Sequence, residues 1–184
     1  AFYNCNSMIS CTLSNKLEFI GSYAFSNCSS LNSIIIPDSV TTIENGVFSR
    51  CLNLVDVTLP SNLVKLSSSL FSECELLESI IIPASVKIID NYIFDYCTNL
   101  KEIKYIGTIE NWCDIEINNF FSTGGQVIDF CLLNEEYDFE LVNILEISKS
   151  VEEIREFQFY WFDIEDVYLE NECQYIDTYA LPYV

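Results

Sequence analysis

A phenylalanine and a cysteine recur along this chain at one fixed interval of 23 residues. The phenylalanines are Phe2, Phe25, Phe48, Phe71 and Phe94, and the cysteines that follow them three residues later are Cys5, Cys28, Cys51, Cys74 and Cys97. A fixed period of about 20 to 50 residues indicates a solenoid, because one coil is too small to bury its own apolar face and must stack on its neighbours. The chain is therefore predicted to be a repeat array.

Four further columns of the repeat are apolar in the regular copies and predict the core. They are Leu31/Leu54/Leu77/Leu100, Ile34/Val57/Ile80/Ile103, Val40/Leu63/Val86/Ile109 and Ile43/Leu66/Ile89. The spacing of two between Ile34 and Ile36 is typical of a strand, and Pro37 closes that strand because proline lacks a backbone donor. We expect one short parallel strand per coil of about 23 residues, returned by one or two turns of α- or 3₁₀-helix.

The register changes in the second half of the chain. We expect one continuous repeat domain over 1–184, with regular repeats at 1–105, a divergent variant repeat at 106–141 and two divergent repeats at 142–184. The variant repeat places Trp112 in the Ile43 core column, where it is predicted to be a packing residue, and a strand-like segment at 127–130 follows a serine, threonine and glycine stretch. Solenoids need polar capping segments, and neither end shows one, so we expect a fragment of a longer chain.

The unit L-x-x-I-x-I-P-x-S-V-x-x-I-x-x-x-A-F-x-x-C closely resembles the BspA-like class of leucine-rich repeats, tightly over 1–105 and loosely over 142–184. The fold expected is an α/β leucine-rich-repeat solenoid, with the strands on a concave face and the short helical returns on a convex face. Members of that family are typically surface or secreted proteins of mucosal bacteria and protists. The resemblance therefore implies a cell-surface or extracellular location and attachment to a protein of the host matrix, the host cell surface or another microbe. It implies no enzyme activity and designates no catalytic residue.

The charge of the chain argues against two classes of partner. Twenty-eight acidic residues face eight basic ones, giving a net charge of −20. Nucleic acid and anionic membrane are therefore unexpected partners, since phosphate binding relies on a basic surface. No apolar stretch reaches the roughly 18 residues that a membrane-inserted helix needs. The excess of acidic residues is concentrated after residue 128. These residues either steer a basic ligand or bind calcium, or they form a solvated surface that keeps an apolar-rich solenoid soluble.

The cysteines and the absence of histidine limit the disulfide, metal-binding and catalytic chemistry that the chain can support. The cysteine column predicts a stack of reduced, buried thiols, although disulfides between adjacent coils remain an alternative. Cysteines 23 residues apart without any histidine do not form a zinc motif, and no metal or other cofactor is expected. Without histidine the Ser-His-Asp and Cys-His nucleophile systems are excluded, and Asp56 with Glu102 remains as a carboxylate pair for glycoside chemistry. No motif fixes a nucleophile, a base and an oxyanion site together, so we expect no enzyme.

Two sets of residues are candidates for partner binding. The outward-facing row of the strands contains Ile35, Thr58, Ile81, Lys104, Glu146 and Tyr168, and the row beside it contains Asp56 and Glu102. This face is either a docking strip for an extended protein or glycan, or a result of the preference of strands for β-branched residues. The second set is Tyr160 and Trp161, at positions that are mostly polar in regular coils. They form either an interface hot spot or, with a shifted register, part of the core.

The function expected from these observations is a non-enzymatic recognition module that binds a protein through its concave sheet. Two alternatives remain open. One is a structural spacer that projects another domain, and the other is a glycan-binding accessory segment of a larger surface protein.

Overall fold

The structure is a computed structural model that describes residues 1–121, 127–134, 136–170 and 173–182. The chain winds into a parallel β-solenoid of about seven turns, which confirms the fold expected from the repeat. The serine, threonine and glycine stretch at 122–125 lies outside the described residues.

The elements are short and follow one another at the period of the repeat. In chain order they are β1 (Phe19–Ile20), β2 (Ser33–Ile35), β3 (Thr42–Ile43), β4 (Asp56–Thr58), β5 (Lys65–Leu66), β6 (Ser79–Ile82), β7 (Ile88–Ile89), β8 (Glu102–Tyr105), α1 (Ile109–Cys113), β9 (Glu116–Ile117), β10 (Asp129–Leu133), β11 (Phe139–Leu141), β12 (Ile144–Ile147), β13 (Glu153–Ile154), β14 (Asp166–Leu169) and β15 (Tyr175–Ile176).

Main-chain hydrogen bonds join consecutive coils on three sides. On the strand face, formed by β2, β4, β6, β8 and β10, parallel pairs include β2–β4 and β6–β8–β10. On a second side, two-residue strands pair as β1–β3 and β5–β7–β9. On the third side, the turn side (21–29, 44–52, 67–75 and 90–98), Phe25 N–H donates to Val47 O and Phe48 N–H to Leu70 O, each at 3.0 Å.

The predicted core columns are buried, except that Ile109 is half-buried against the same core. Leu31, Val40 and Phe48 are 0% exposed, and the equivalent residues of the next coils are similarly enclosed. The phenylalanine column forms a stack in which the ring centroids of Phe48 and Phe71 lie 5.8 Å apart with an angle of 6° between the ring planes. Since apolar burial is the main favourable term in folding, this continuous core stabilises the array.

The cysteine column has a specific partner. The Sγ of Cys51 donates to the backbone oxygen of Phe25 at 3.2 Å, and the Sγ of Cys74 donates to that of Phe48 at 3.2 Å. All nine cysteines are thiols and none forms a disulfide, so the reduced arrangement is the one in the structure. The thiols of Cys28, Cys51, Cys74 and Cys97 each tie their own coil to the coil before it in this way.

Each regular coil carries a second, two-residue strand that the sequence did not predict. The turn side also differs from the prediction, which was a helical return. Two columns of the turn side adopt left-handed backbone angles, with φ values between 57° and 67°. The first column contains Tyr23, Gly46, Ser69 and Tyr92, and the second contains Asn4, Asn27, Arg50, Glu73 and Tyr96. Because a right-handed helix cannot continue through such residues, the return is a series of turns. Within the described ranges α1 is the only helix.

The segment after β8 departs from the regular coil. Helix α1 begins with a capping box in which the Thr108 side chain accepts from Asn111 N–H and the Asn111 side chain accepts from Thr108 N–H. Strand β9 joins the second side, and β10 joins the strand face parallel to β8. Strand β11 then folds back antiparallel on β10, and β12–β14 and β13–β15 form two separate pairs.

Candidate interaction surface

The strand face brings together most of the predicted row. Ile35 lies opposite Thr58 in the β2–β4 pair, and Ile81 lies opposite Lys104 in the β6–β8 pair. Ile35 is 70% exposed and Ile81 is 42% exposed, and β4 contacts β6, so the two pairs are adjacent. The alternation of buried and exposed residues within each strand follows from the side-chain period of two.

Lys104 is held in place on this face. Its Nζ lies 2.7 Å from Glu102 Oε2, two residues earlier on the same strand, and 6.0 Å from the centroid of the Phe139 ring on β11. The ammonium group therefore has both a carboxylate partner and an aromatic neighbour. Its stem remains part of the surface between Ile81 and the β10–β11 hairpin.

The row does not continue from Lys104 to Glu146 as the sequence register predicts. Lys104 lies opposite Cys131 on β10, and Cys131 lies opposite Leu141 on β11. Glu146 instead lies opposite Tyr168 in the separate β12–β14 pair. The hairpin thus adds a 52% exposed leucine to the apolar row and separates Tyr168 from the other candidates.

The polar row beside it is also divided among strands. Asp56 on β4 lies opposite Ser33, and Glu102 on β8 lies opposite Ser79 on one side and Asp129 on the other. Strand β6 stands between Asp56 and Glu102, and Glu102 is occupied by Lys104. The two carboxylates therefore belong to one face but do not form a close pair.

Tyr160 and Trp161 lie in an aromatic cluster at the turn side of the last coils. The Trp161 ring is half-buried against the core, with its centroid 5.0 Å from that of Phe121, and its Nε1 is buried without a hydrogen-bond partner among the described residues. Tyr160 contacts Trp161 at 4.7 Å and Tyr179 at 5.4 Å. Trp161 is thus turned inward, and Tyr160 is half-buried in the same cluster.

Trp112 is confirmed as a packing residue. It is 0% exposed, and its ring lies 5.1 Å from Tyr105 and 4.8 Å from Phe130. Its Nε1–H donates to the backbone oxygen of Gln158 at 2.8 Å. Gln158, fully buried and absent from the sequence predictions, ties this segment to the coil that follows.

Burial governs the chemistry of the thiols. It raises the pKa of Cys51 and of Cys97 to about 12, and it raises that of Cys74 well above its ordinary value. Since the thiolate is the nucleophile and the metal ligand, these cysteines are poorly suited to either role at neutral pH. Across the described ranges, no three cysteine and acidic side chains are grouped as metal ligands would be. Nor does any described helix have the length and apolar character that a membrane span requires.

Comparison with known proteins agrees with this architecture. No curated protein matches the sequence at a significant level. A leucine rich cell surface protein from Faecalibacterium prausnitzii A2-165 is 29% identical over 64% of this chain, with a TM-score of 0.53. This chain covers only 33% of that protein. The T. pallidum leucine rich repeat protein shares the fold over 99% of this chain and 69% of its own, with a TM-score of 0.58 and 20% identity.

The repeat pattern itself is decisive for the family. The BspA type leucine rich repeat region matches six copies, over residues 1–123 and 135–183. The matched ranges include the regular coils and the coils that follow the β10–β11 hairpin. The chain belongs to the BspA type leucine-rich repeat family.

Proposed function

We propose that this chain is a non-enzymatic recognition module that binds a protein through its strand face. The single observation that carries the proposal is the apolar row on that face, in which Ile35, Ile81 and Leu141 are each more than two-fifths exposed. Isolated exposed apolar residues are common, but an aligned set on one sheet marks a candidate binding site. The row is long and open, which suits an extended or gently curved protein surface.

The chemistry of the row supports a protein partner. Thr58 and Lys104 lie within it, so Ile35 and Ile81 each have a polar or charged neighbour. Interfaces commonly place apolar anchors at the centre and polar groups at the rim. Asp56 and Glu102 supply such a rim on one side. Because Glu102 is paired with Lys104, Asp56 is the carboxylate that favours a basic residue at the edge of the partner.

A location at the cell surface or outside the cell is part of the proposal. It is supported by the family and by the similarity to a leucine rich cell surface protein. A host matrix protein, a host cell-surface protein or a protein of another microbe is the proposed partner. The leucine-rich-repeat fold is generally a scaffold for binding, and this supports a non-enzymatic role.

The test uses substitutions that the repeat itself provides. Threonine already occupies this column at Thr12 and Thr58, so Ile35→Thr, Ile81→Thr and Lys104→Thr remove the apolar and basic groups with residues the strand accommodates. Purified protein and this triple variant are measured for binding to immobilised extracellular matrix proteins and mucin. We expect the triple variant to lose affinity by about tenfold or more for any bound protein, equivalent to about 1.4 kcal/mol or more.

A matched control alters exposed apolar residues elsewhere. Phe19 on β1 and Val64 beside β5 are 53% and 52% exposed, and threonine occupies their repeat-equivalent positions at Thr42 and Thr41. Phe19→Thr with Val64→Thr is expected to leave binding unchanged. Equal losses in both variants would overturn the strand-face proposal, and absence of binding to every protein tested would favour a structural spacer.

A further inference from the structure

We propose that a groove on the turn side of the first coils binds a neutral oligosaccharide. The groove has a volume of about 680 Å³, which lies within the range typical of small-ligand sites. The residues that line it include Tyr3, Tyr23, Asn27, Ser49, Arg50 and Glu73. This site is separate from the strand face and does not depend on the function proposed for it.

The Tyr23 ring, which is 52% exposed, supplies an apolar platform, and Tyr3 also lines the groove. Tyr23 has a left-handed backbone angle of 57°, and its ring lies across the α-carbon of Gly46 in the next coil, so closely that a Cβ there would overlap it. Glycine is therefore required at position 46 for this ring position. The result is an exposed aromatic face that is supported from below rather than free to move.

The polar groups of the groove are also positioned by their neighbours. Arg50 Nε donates to both carboxylate oxygens of Glu73, each at 3.0 Å. This contact fixes the plane of the guanidinium and leaves its two terminal amino groups without a partner among the described residues. The Asn27 side-chain amide donates to Asn4 of the preceding coil, which orients its own oxygen as an acceptor.

The combination matches the chemistry of a sugar. Each sugar ring presents an apolar face of C–H groups, which packs on an aromatic ring, and a rim of hydroxyls that both donate and accept. The groove offers donors from Arg50, an acceptor from Asn27 and the hydroxyl of Ser49, which serves as either. Because Arg50 and Glu73 neutralise each other, the lining does not favour an acidic sugar, a phosphate or a charged peptide.

The next coils offer an internal comparison. Tyr92 occupies the same repeat column as Tyr23, has a φ of 60° and is 44% exposed, but it does not line the groove. The column of Asn27 and Arg50 continues as Glu73 and Tyr96, so the coil of Tyr92 has a tyrosine where the groove has its amide and guanidinium groups. Tyr92→Ala is therefore a matched control for Tyr23→Ala, since it removes a similarly exposed ring from an equivalent turn.

The experiment measures saccharide binding by saturation-transfer NMR and calorimetry. Maltotriose, mannotriose and triacetylchitotriose are the neutral probes, 3′-sialyllactose is the acidic one, and a proline-rich peptide represents aromatic-groove peptide recognition. We expect at least one neutral trisaccharide to bind at millimolar or lower concentration. Tyr23→Ala and Tyr3→Ala are each expected to weaken that binding by about tenfold, whereas Tyr92→Ala and the strand-face triple variant leave it unchanged.

Several results would overturn the proposal. They are binding to none of the neutral trisaccharides at millimolar concentration, binding only to sialyllactose or the peptide, or an equal loss in Tyr92→Ala. If Tyr23→Ala fails to fold, Arg50→Lys replaces it, because lysine keeps the charge but lacks the planar set of donors. Unchanged neutral-saccharide affinity in Arg50→Lys would then count against the groove.

Discussion

Trp112 and Gln158 are joined by two reciprocal hydrogen bonds. The indole Nε1–H of Trp112 donates to the backbone oxygen of Gln158 at 2.8 Å, and the Gln158 Nε2 donates to the backbone oxygen of Trp112 at 2.9 Å. The second proton of the Gln158 Nε2 amide is donated to the backbone oxygen of Cys113. One buried amide thus satisfies the carbonyl groups at the end of α1 and connects the divergent segment to the coil after the hairpin.

Removal of that amide is predicted to be costly. Gln158→Leu preserves the approximate volume but leaves buried carbonyl oxygens and the Arg155 N–H, which donates to Gln158 Oε1 at 2.8 Å, without their partner. We expect a loss of about 2–4 kcal/mol in the free energy of unfolding, measured by urea titration. Gln174→Leu, at an exposed position, is the control and is expected to change stability by less than about 0.5 kcal/mol. Similar values for both variants would contradict this role of Gln158.

The cysteine column is predicted to contribute through packing and through the bond to the preceding coil. Cys74→Ala removes a fully buried sulfur and its contact with Phe48 O, and we expect a loss of about 1–2 kcal/mol in unfolding free energy. Cys74→Ser restores a donor for Phe48 O, so its unfolding free energy should differ from that of the alanine variant. Cys173→Ala, at a half-buried thiol outside this column, is the control. A null effect of Cys74→Ala in chemical denaturation would refute the prediction.

Stability is predicted to fall at alkaline pH. The pKa values of Cys51 and Cys97 rise from about 9 to about 12 in the folded protein, so folded thiols keep protons that unfolded thiols lose. Their contribution is fully present below about pH 9 and is lost as the pH rises toward 12. The variant Cys51→Ala with Cys97→Ala should therefore show a shallower decline in unfolding free energy above pH 9 than the parent chain. Parallel pH profiles for the two proteins would show that these thiols do not cause the decline.

Gly46 is predicted to tolerate no Cβ. It has a φ of 61°, and an added Cβ would overlap the Tyr23 ring. Gly46→Ala therefore combines backbone strain with displacement of that ring, and we expect a loss of about 1–2 kcal/mol in unfolding free energy. Ser69→Ala occupies the equivalent turn with a left-handed residue already present, so it should have a smaller effect. A shift of the Tyr23 aromatic NMR signals in Gly46→Ala alone is the second expected observation.

The repeat made much of the fold predictable from sequence. The columns at Leu31, Ile34, Val40 and Ile43 are core residues because a fixed period aligns equivalent apolar side chains from coil to coil. The strand-like segment at 127–130 was also informative, since β10 begins at Asp129. The place of Trp112 in a core column likewise predicts its role as a packing residue.

Other features carry too little sequence signal. The second-side strands contain two residues each, and two residues cannot display the alternation by which a strand is recognised. The left-handed positions hold tyrosine, serine, arginine and glutamate as well as glycine and asparagine, so residue type does not reveal them. The β10–β11 hairpin interrupts the register between Lys104 and Glu146, and the apolar contribution of Leu141 was missed for that reason.

The central claim is that a protein partner docks on the strand face, and amide hydrogen exchange tests it most directly. The chain is compared alone and bound to the protein recovered in the matrix and mucin measurements. We predict added protection over 33–35, 56–58, 79–82 and 102–105, with none on the turn side at 44–52 and 67–75. Protection confined to the turn side, or none at the strands of a saturated complex, would contradict the account.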